Sequence, residues 1–227
     1  MNIKIIKNVE EANQASGLAV IIDVFRAFST ECYVFQNGAK YIIPVLTLEE
    51  AYELKKQNPD YILMGERKGL PPEGFDFGNS PTEILDIDFT DKIVVHTTSN
   101  GTKGMMNAKN ANQIITGAFV NAKAIVKYIE SNKIENITFV STAPLEYDDN
   151  NEDVILAKYI KDLLQVVDVN EADIIAHIRN SSTATFLLQE AKVPSTDIDL
   201  CLDFNRFNFI IKQVEIDGKK VLIKQDI

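Results

Sequence analysis

The chain carries no basic stripe and no block of lysine or arginine. Asp and Glu number 33 against 23 Lys and Arg, a net charge of −10. Chains that neutralise nucleic-acid phosphates or dock on anionic lipid need the opposite balance, so neither is an expected partner. An acidic chain that binds an anion must do so with local cations or a metal. Cysteine is scarce: Cys32 and Cys201 stand alone, with no metal-type spacing and no disulfide framework. His96 lies on a strand apolar on both sides, which predicts a buried, hydrogen-bonded ring. His177 has no acidic or cysteine partner at ligand spacing, so zinc is not expected. No apolar run is long enough to cross a bilayer, and MNIKIIKNVEEANQ lacks an apolar signal core. The expectation is a cytoplasmic protein with no membrane partner; monomer and homodimer both stay open.

What the chain does have is regular alternation. At 227 residues, 45% of them hydrophobic, it can bury a sizeable core. Apolar, β-branched runs predict strands over 2–7, 18–22, 40–45, 61–64, 92–96, 113–116 and 136–141. Helical patterns fall between them, at 29–37, 47–57, from Ser80, after Thr102, and over 118–131 and 154–164. Thr47 with Glu50 and Ser80 with Glu83 are capping-box pairs, and Pro81 suits a first turn. Beyond 164 the pattern changes. A helical stretch over 171–191 is broken near Asn180, then runs over 207–216 and 220–224 flank Asp217-Gly218, a hairpin signal. The predicted class is α/β: a mostly parallel or mixed sheet with helices on both faces, C-terminal helices and a β-hairpin. The expected organisation is one domain over 1–227, its last part read either as a subdomain from about residue 170 or as an edge of the same sheet.

Chemistry is expected first in 18–30, LAVIIDVFRAFST. A buried strand delivers Asp23 at its C-terminal end, and Arg26, Ser29 and Thr30 follow at the start of a helix. Open α/β sheets bind charged ligands at that position. Asp23 is expected to hold a divalent metal and Arg26 to face an anion; pairing of Arg26 with Asp23 or Glu66 is the structural alternative. Gly65, Gly69, Gly74, Gly78, Gly101 and Gly104 are six of the ten glycines, and Glu66, Arg67, Asp76 and Asn79 lie among them. Long irregular loops in compact domains tend to be functional, and a strand feeds Glu66 and Arg67 into this one. A surface loop with turn-making glycines is the plainer alternative.

The run Thr97-Thr98-Ser99-Asn100-Gly101-Thr102 also joins strand to helix. Its amides and hydroxyls suit a phosphate or sulfonate, although Asn-Gly makes ordinary turns too. Glu152-Asp153 opens a helix, where acids ordinarily complement the dipole. In the company of Asp23 and Glu66 they become candidate metal ligands, and such oxygen donors suit Mg²⁺ or Mn²⁺. Arg67 joins Arg26 as a guanidinium fork for phosphate. Cys32 and Cys201 read as core and Phe25, Phe28, Phe75 and Phe77 as packing, with a wall of Phe75 and Phe77 between the pocket and water as the alternative.

In chain order the sequence shows DVFRAFST behind a strand, GERKGLPPEGFDFGNSPTE, HTTSNGT, a Glu-Asp pair before a helix, and a late DLCL. Together, over 23–201, these resemble the 2-phosphosulfolactate phosphatase family. The resemblance implies that family's own α/β fold and a Mg²⁺-dependent phosphatase. Its substrate would be (R)-2-phospho-3-sulfolactate, hydrolysed to 3-sulfolactate and phosphate in coenzyme M biosynthesis. It places Asp23, Arg26, Glu66, Arg67, Asn79, Ser80, Asn100, Gly101 and Asp153 on motif positions. One departure is Ser141-Thr142-Ala143-Pro144, where the family usually has Cys-Ala-Gly; it bears on substrate identity more than on metal chemistry.

The expected site is therefore Asp23, Arg26 and Arg67 as catalytic residues, with Asp23, Glu66, Glu152 and Asp153 around Mg²⁺. Ser29, Thr30, Asn79, Ser80 and the 97–102 run would bind a small phosphorylated acid that also carries a sulfonate or carboxylate. Two rivals remain. A haloacid-dehalogenase-like phosphatase would need a second Asp where Phe25 stands. A non-catalytic binding protein for an acidic metabolite would keep the pocket without turnover.

Overall fold

Every residue of Leu18–Ile22 is buried, because this strand presents apolar side chains to both faces of a sheet. The computed structural model that shows this describes residues 1–143 and 150–227; Pro144, Asp148 and Asp149 lie outside the described residues. The chain runs β1 (Asn2–Ile6), β2 (Leu18–Ile22), α1 (Ala27–Gln36), β3 (Tyr41–Pro44), α2 (Leu48–Gln57), β4 (Ile62–Gly65), α3 (Pro81–Ile84), β5 (Ile93–Thr97) and α4 (Gly101–Asn107). It continues through β6 (Gln113–Gly117), α5 (Ala122–Ser131), β7 (Asn136–Ser141), α6 (Glu152–Leu164), α7 (Glu171–Arg179), α8 (Ser182–Gln189), α9 (Ser195–Cys201), β8 (Phe209–Ile216) and β9 (Lys219–Asp226).

Both predicted N-caps are present, and of the two expected capping boxes the Thr47 pair closes while the Ser80 pair makes only the side-chain half. The Thr47 side chain accepts from Glu50 N–H while Glu50 returns the bond, and the Ser80 hydroxyl accepts from Glu83 N–H. The break near Asn180 is real: α7 ends there and Ser181 caps α8. Two elements had no apolar period to betray them. A 3₁₀ helix over Val9–Gln14 buries only Ala12, and α9 buries Asp197 among its apolar residues.

The nine strands form one sheet in the order β1-β7-β2-β6-β8-β9-β3-β5-β4. The first four are parallel to one another, as are β3, β5 and β4. The β8–β9 hairpin pairs antiparallel with β6 on one side and β3 on the other. It therefore fills the middle of the sheet, where the sequence reading had offered an edge.

Three successive antiparallel interfaces also reverse the second parallel block against the first. In a flat sheet the C-terminal ends of β2 and β4 would point apart. Twist of roughly 20–25° per strand pair, over the six interfaces between β2 and β4, accumulates to roughly 120–150°. A rotation of that size would bring the C-terminal ends of the two blocks to the same side, and the loops after β2, β4 and β5 do line one cleft.

Side-chain alternation in β2 separates the two faces. Ala19 and Ile21 join Phe28, Cys32 and Phe35 of α1 on one side. Leu18, Val20 and Ile22 join Ile125 and Ile129 of α5 and Leu156 and Ile160 of α6 on the other. A smaller cluster packs Ala51 of α2 against Ile43, Leu63 and Val95 of the second block. Among the described residues no helix is long and apolar enough to cross a membrane.

The hairpin turns on Asp217 and Gly218, with φ of 50° and 74°. Two consecutive positive φ values are the two-residue turn that matches strand twist. A Cβ on Gly218 would meet nothing within 4 Å, so its cost is conformational alone. Gly218→Ala is expected to lower stability by about 1 kcal/mol in urea denaturation and to leave ligand binding unchanged.

Candidate active site

Past the end of β2 the chain turns through Asp23 and a cis Phe25–Arg26 peptide into α1. A cleft of about 230 Å³ opens at this turn. Asp23 and Arg26 meet Glu66 and Lys68 from the loop after β4, and Ser99 and Asn100 from the loop after β5. Asn79, just before α3, and Glu152 and Asp153, at the start of α6, complete the polar wall. Phe25 with Phe186 and Leu187 of α8 forms an apolar wall, beside Thr183. The volume suits a small metabolite rather than a polymer.

Four carboxylates share this space. Asp23 is half-buried, and its Oδ1 accepts from Ala27 N–H at 3.3 Å. Burial first, then the charges of Asp153 and Glu66, raise its pKa well above the usual carboxylate value. A Cβ on residue 101 would stand 2.8 Å from Asp23 Oδ2 and 3.0 Å from the Phe28 ring, so Gly101 is what leaves that oxygen open. Glu66 accepts Ser99 N–H on Oε1 at 2.7 Å and Gly69 N–H on Oε2 at 2.9 Å. Each of its oxygens keeps one lone pair.

Asp153 is the most committed of the four. Oδ1 accepts Val24 N–H at 2.9 Å; Oδ2 accepts Thr142 N–H at 2.9 Å and Ala143 N–H at 3.0 Å. Burial outweighs these bonds and holds its pKa at about 6. Its carboxylate ties the ends of β2 and β7 together. Glu152, 4% exposed, differs: Oε2 is buried without a hydrogen-bond partner among the described residues. Burial, then Asp153, pushes its pKa to about 8. Such a carboxyl keeps its proton at neutral pH and can give it to a leaving group.

The cations divide in a way that residue type did not reveal. Arg26 lines the cleft, but Nη1 pairs with Asp197 Oδ2 at 2.5 Å and Nη2 donates to Gly69 O at 2.9 Å. Its partner is thus neither Asp23 nor Glu66. Asp197 is wholly buried, and its Oδ1 also accepts the Ser80 hydroxyl at 2.8 Å and Thr82 N–H at 3.1 Å. Arg67 stands outside the cleft lining. It donates to Glu66 O, Leu46 O and the Thr97 hydroxyl, which pins the loop to its own strand end. Lys68 is exposed, lines the cleft and has no ion pair among the described residues. Sequence reasoning passed over it between two more conspicuous neighbours.

The hydroxyl-rich run is largely occupied with itself. Thr98 Oγ1 accepts Asn100 N–H at 3.2 Å and Gly101 N–H at 2.7 Å, and Thr102 donates to Thr98 O. With Ser99 N–H on Glu66, these amides are not free to cradle an anion; Ser99 and Asn100 alone of the run line the cleft. Ser29 and Thr30 are buried, donating to Val24 O and Arg26 O. His96 is buried and hydrogen-bonded as expected. Both cysteines are buried and free, and burial raises Cys201 to about 12. Among the described residues no group of three or more His, Cys, Asp or Glu is set to hold a metal ion. A larger hollow of about 450 Å³ lies between β3, α2 and the hairpin turn, but its Glu50 is spent on the α2 cap.

Glu152 supplies a pH test. Its folded pKa of about 8 lies above the ordinary 4.5, so the folded state binds more protons over that range. The stability it contributes is full below 4.5 and is lost as pH rises through about 8. With chelator present, the urea midpoint is expected to fall between about pH 5 and about pH 9, and Glu152→Gln to flatten the upper part of that fall. An unchanged slope in the variant would contradict the assignment.

The family model described as 2-phosphosulpholactate phosphatase matches residues 3–215. The "Probable 2-phosphosulfolactate phosphatase" of Bacillus subtilis (strain 168) is 34% identical over 209 residues, 91% of this chain and 90% of that protein. The similarly named protein of Clostridium tetani (strain Massachusetts / E88) is 36% identical over 200 residues, 85% of each chain. That of Thermoplasma acidophilum is 31% identical over 202 residues, 89% of this chain and 87% of the relative. The motif order and the whole-chain match agree: this chain belongs to the 2-phosphosulfolactate phosphatase family, a family of phosphoric monoester hydrolases.

Proposed function

We propose that the chain is a Mg²⁺-dependent phosphatase acting on a small phosphorylated acid with a second anionic group. 2-Phospho-3-sulfolactate is the substrate its relatives' names indicate. The observation that carries this reading is the convergence of Asp23, Glu66, Arg26, Asn79 and Lys68 on one small cleft.

A cation fits the donor set. Asp23 faces two further carboxylates, has no ion pair among the described residues, and keeps Oδ2 open. Mg²⁺ typically takes one or two carboxylates and fills its remaining positions with water and substrate phosphate, so a three-residue cage is not required. Asp23 and Glu66 would hold it. When bound, the ion would supply positive charge against the phosphate oxygens.

The chain's own groups account for the rest. Arg26, fixed by Asp197, sets a guanidinium beside the phosphate; Lys68 is the cation left for the sulfonate or carboxylate. Hydrolysis forms a bond from water oxygen to phosphorus and breaks the bond to the substrate's ester oxygen. Glu152 gives its proton to that oxygen and regains one from the attacking water, leaving hydrogen phosphate. The Phe25, Phe186 and Leu187 wall limits competing solvent.

Phosphate release from phosphosulfolactate is expected to vanish with chelator, return with Mg²⁺, and fall at least about 100-fold in Asp23→Asn. Activity indifferent to chelation would overturn the metal. Lys68→Met is expected to raise KM about tenfold for phosphosulfolactate but not for an ester lacking the second anion. An equal rise for both would remove Lys68 from that role.

A further inference from the structure

Behind the cleft wall, α1, β5 and the loop before α3 bring Glu31, His96 and Asn79 together, 0%, 0% and 2% exposed. Glu31 Oε1 lies 2.8 Å from His96 Nδ1, and His96 Nε2 lies 2.9 Å from Asn79 Oδ1. Of the three, only Asn79 lines the cleft. No step of the hydrolysis uses Glu31 or His96.

Hydrogen positions decide what Asn79 shows a ligand. An amide oxygen only accepts, so its contact with the ring requires a hydrogen on Nε2. Nδ1 and Glu31 then share one more proton, as imidazolium with carboxylate or as imidazole with carboxylic acid. Either way the pair carries no net charge. With the amide reversed, Nε2 would be bare and Nδ1 would carry the ring hydrogen; an ionised Glu31 would then bury a net negative charge, and burial, which raises the carboxyl's pKa, opposes that form. A neutral Glu31 would instead have to carry its hydrogen on Oε2, which makes no hydrogen bond among the described residues. Asn79 Nδ2 consequently turns away from the ring, and it makes no hydrogen bond among the described residues.

We propose that the buried Glu31–His96 pair is a positioning device. By donating from Nε2 to Asn79 Oδ1, it locks the carboxamide with its N–H groups toward the substrate's anion. Glu31 and His96 are positioning residues that act through Asn79. The inference rests on the phosphatase reading for the identity of the anion, not for the amide's orientation.

Two measurements test it. The chain has two histidines, so long-range ¹H–¹⁵N spectra compared with His177→Gln isolate His96. Nε2 is expected to be protonated at neutral pH, and the Asn79 side-chain N–H signals to move on titration with inorganic phosphate and Mg²⁺. A bare Nε2 would overturn the proposal whatever the activity. The second arm compares two double variants. Glu31→Leu with His96→Phe leaves no buried charge, and is expected to fold cooperatively and bind phosphate about tenfold more weakly by calorimetry, with KM raised and kcat within about threefold. Glu31→Gln with His96→Gln keeps a donor toward Asn79 and is expected to bind within about threefold of wild type. Wild-type binding in the apolar pair, or equal loss in both pairs, would overturn the proposal. If the wild-type chain bound no phosphate, the phosphatase reading would fall, and Nε2 would still decide this inference.

Discussion

The carboxylate of Asp153 accepts the amides of Val24 and Ala143 just past β2 and β7, and shares the Thr142 amide with Ile22 O. Buried N–H groups at strand ends need an acceptor, and leaving one unmet costs about 1–3 kcal/mol. One side chain at the start of α6 meets two of them and shares a third, and so fixes Asp23, the residue before Val24, at the cleft floor. Asp197 does the same work opposite. It pairs with Arg26 and accepts from Ser80 and Thr82, so that β2's exit loop, α3 and α9 share one buried anion. Breaking a buried ion pair by removing one partner typically costs about 3–5 kcal/mol. These two acids therefore outweigh any single turn or cap as determinants of the cleft's shape.

The same two acids explain why an acidic site can accept an anionic substrate. Asp197 is matched by a guanidinium and is electrostatically quiet. Asp153 is matched only by dipoles, so its charge, with that of Glu66, bears on Asp23. The repulsion is concentrated at one open carboxyl oxygen, where a divalent ion would relieve it, instead of being spread over the wall. Glu152 avoids adding to it by staying protonated near neutral pH.

Much of this fold was legible because its signals are local. The apolar run 18–22, the Thr47–Glu50 cap and the Asp217-Gly218 turn each depend on a few neighbours, and each formed where read. Gathering Asp23, Glu66 and Asp153 in one place was also legible, since each follows a strand. What each carboxylate does there was not. Asp153 is an acceptor for three backbone amides, and no pattern in sequence distinguishes that from an open acid. The hydroxyls of Thr97, Thr98 and Thr102 look like anion donors until their partners within the loop are seen. Asp197 could not be found at all: it sits in a short helix whose apolar spacing it interrupts, and its partner is 171 residues away.

The position of the hairpin is the least local feature, and the site depends on it. Without β8 and β9, β6 and β3 would be neighbours, and the number of antiparallel interfaces between the blocks would change. So would the direction in which β4 and β5 deliver their loops. The C-terminal third also furnishes the apolar wall through Phe186 and Leu187 and the anchor of Arg26 through Asp197. In the folded sheet the chain's last strands lie between the strand that precedes Asp23 and the strand that precedes Glu66. The placement of the loops that meet Asp23 in the cleft thus depends on pairings made near residue 220, through the sense of the sheet between them.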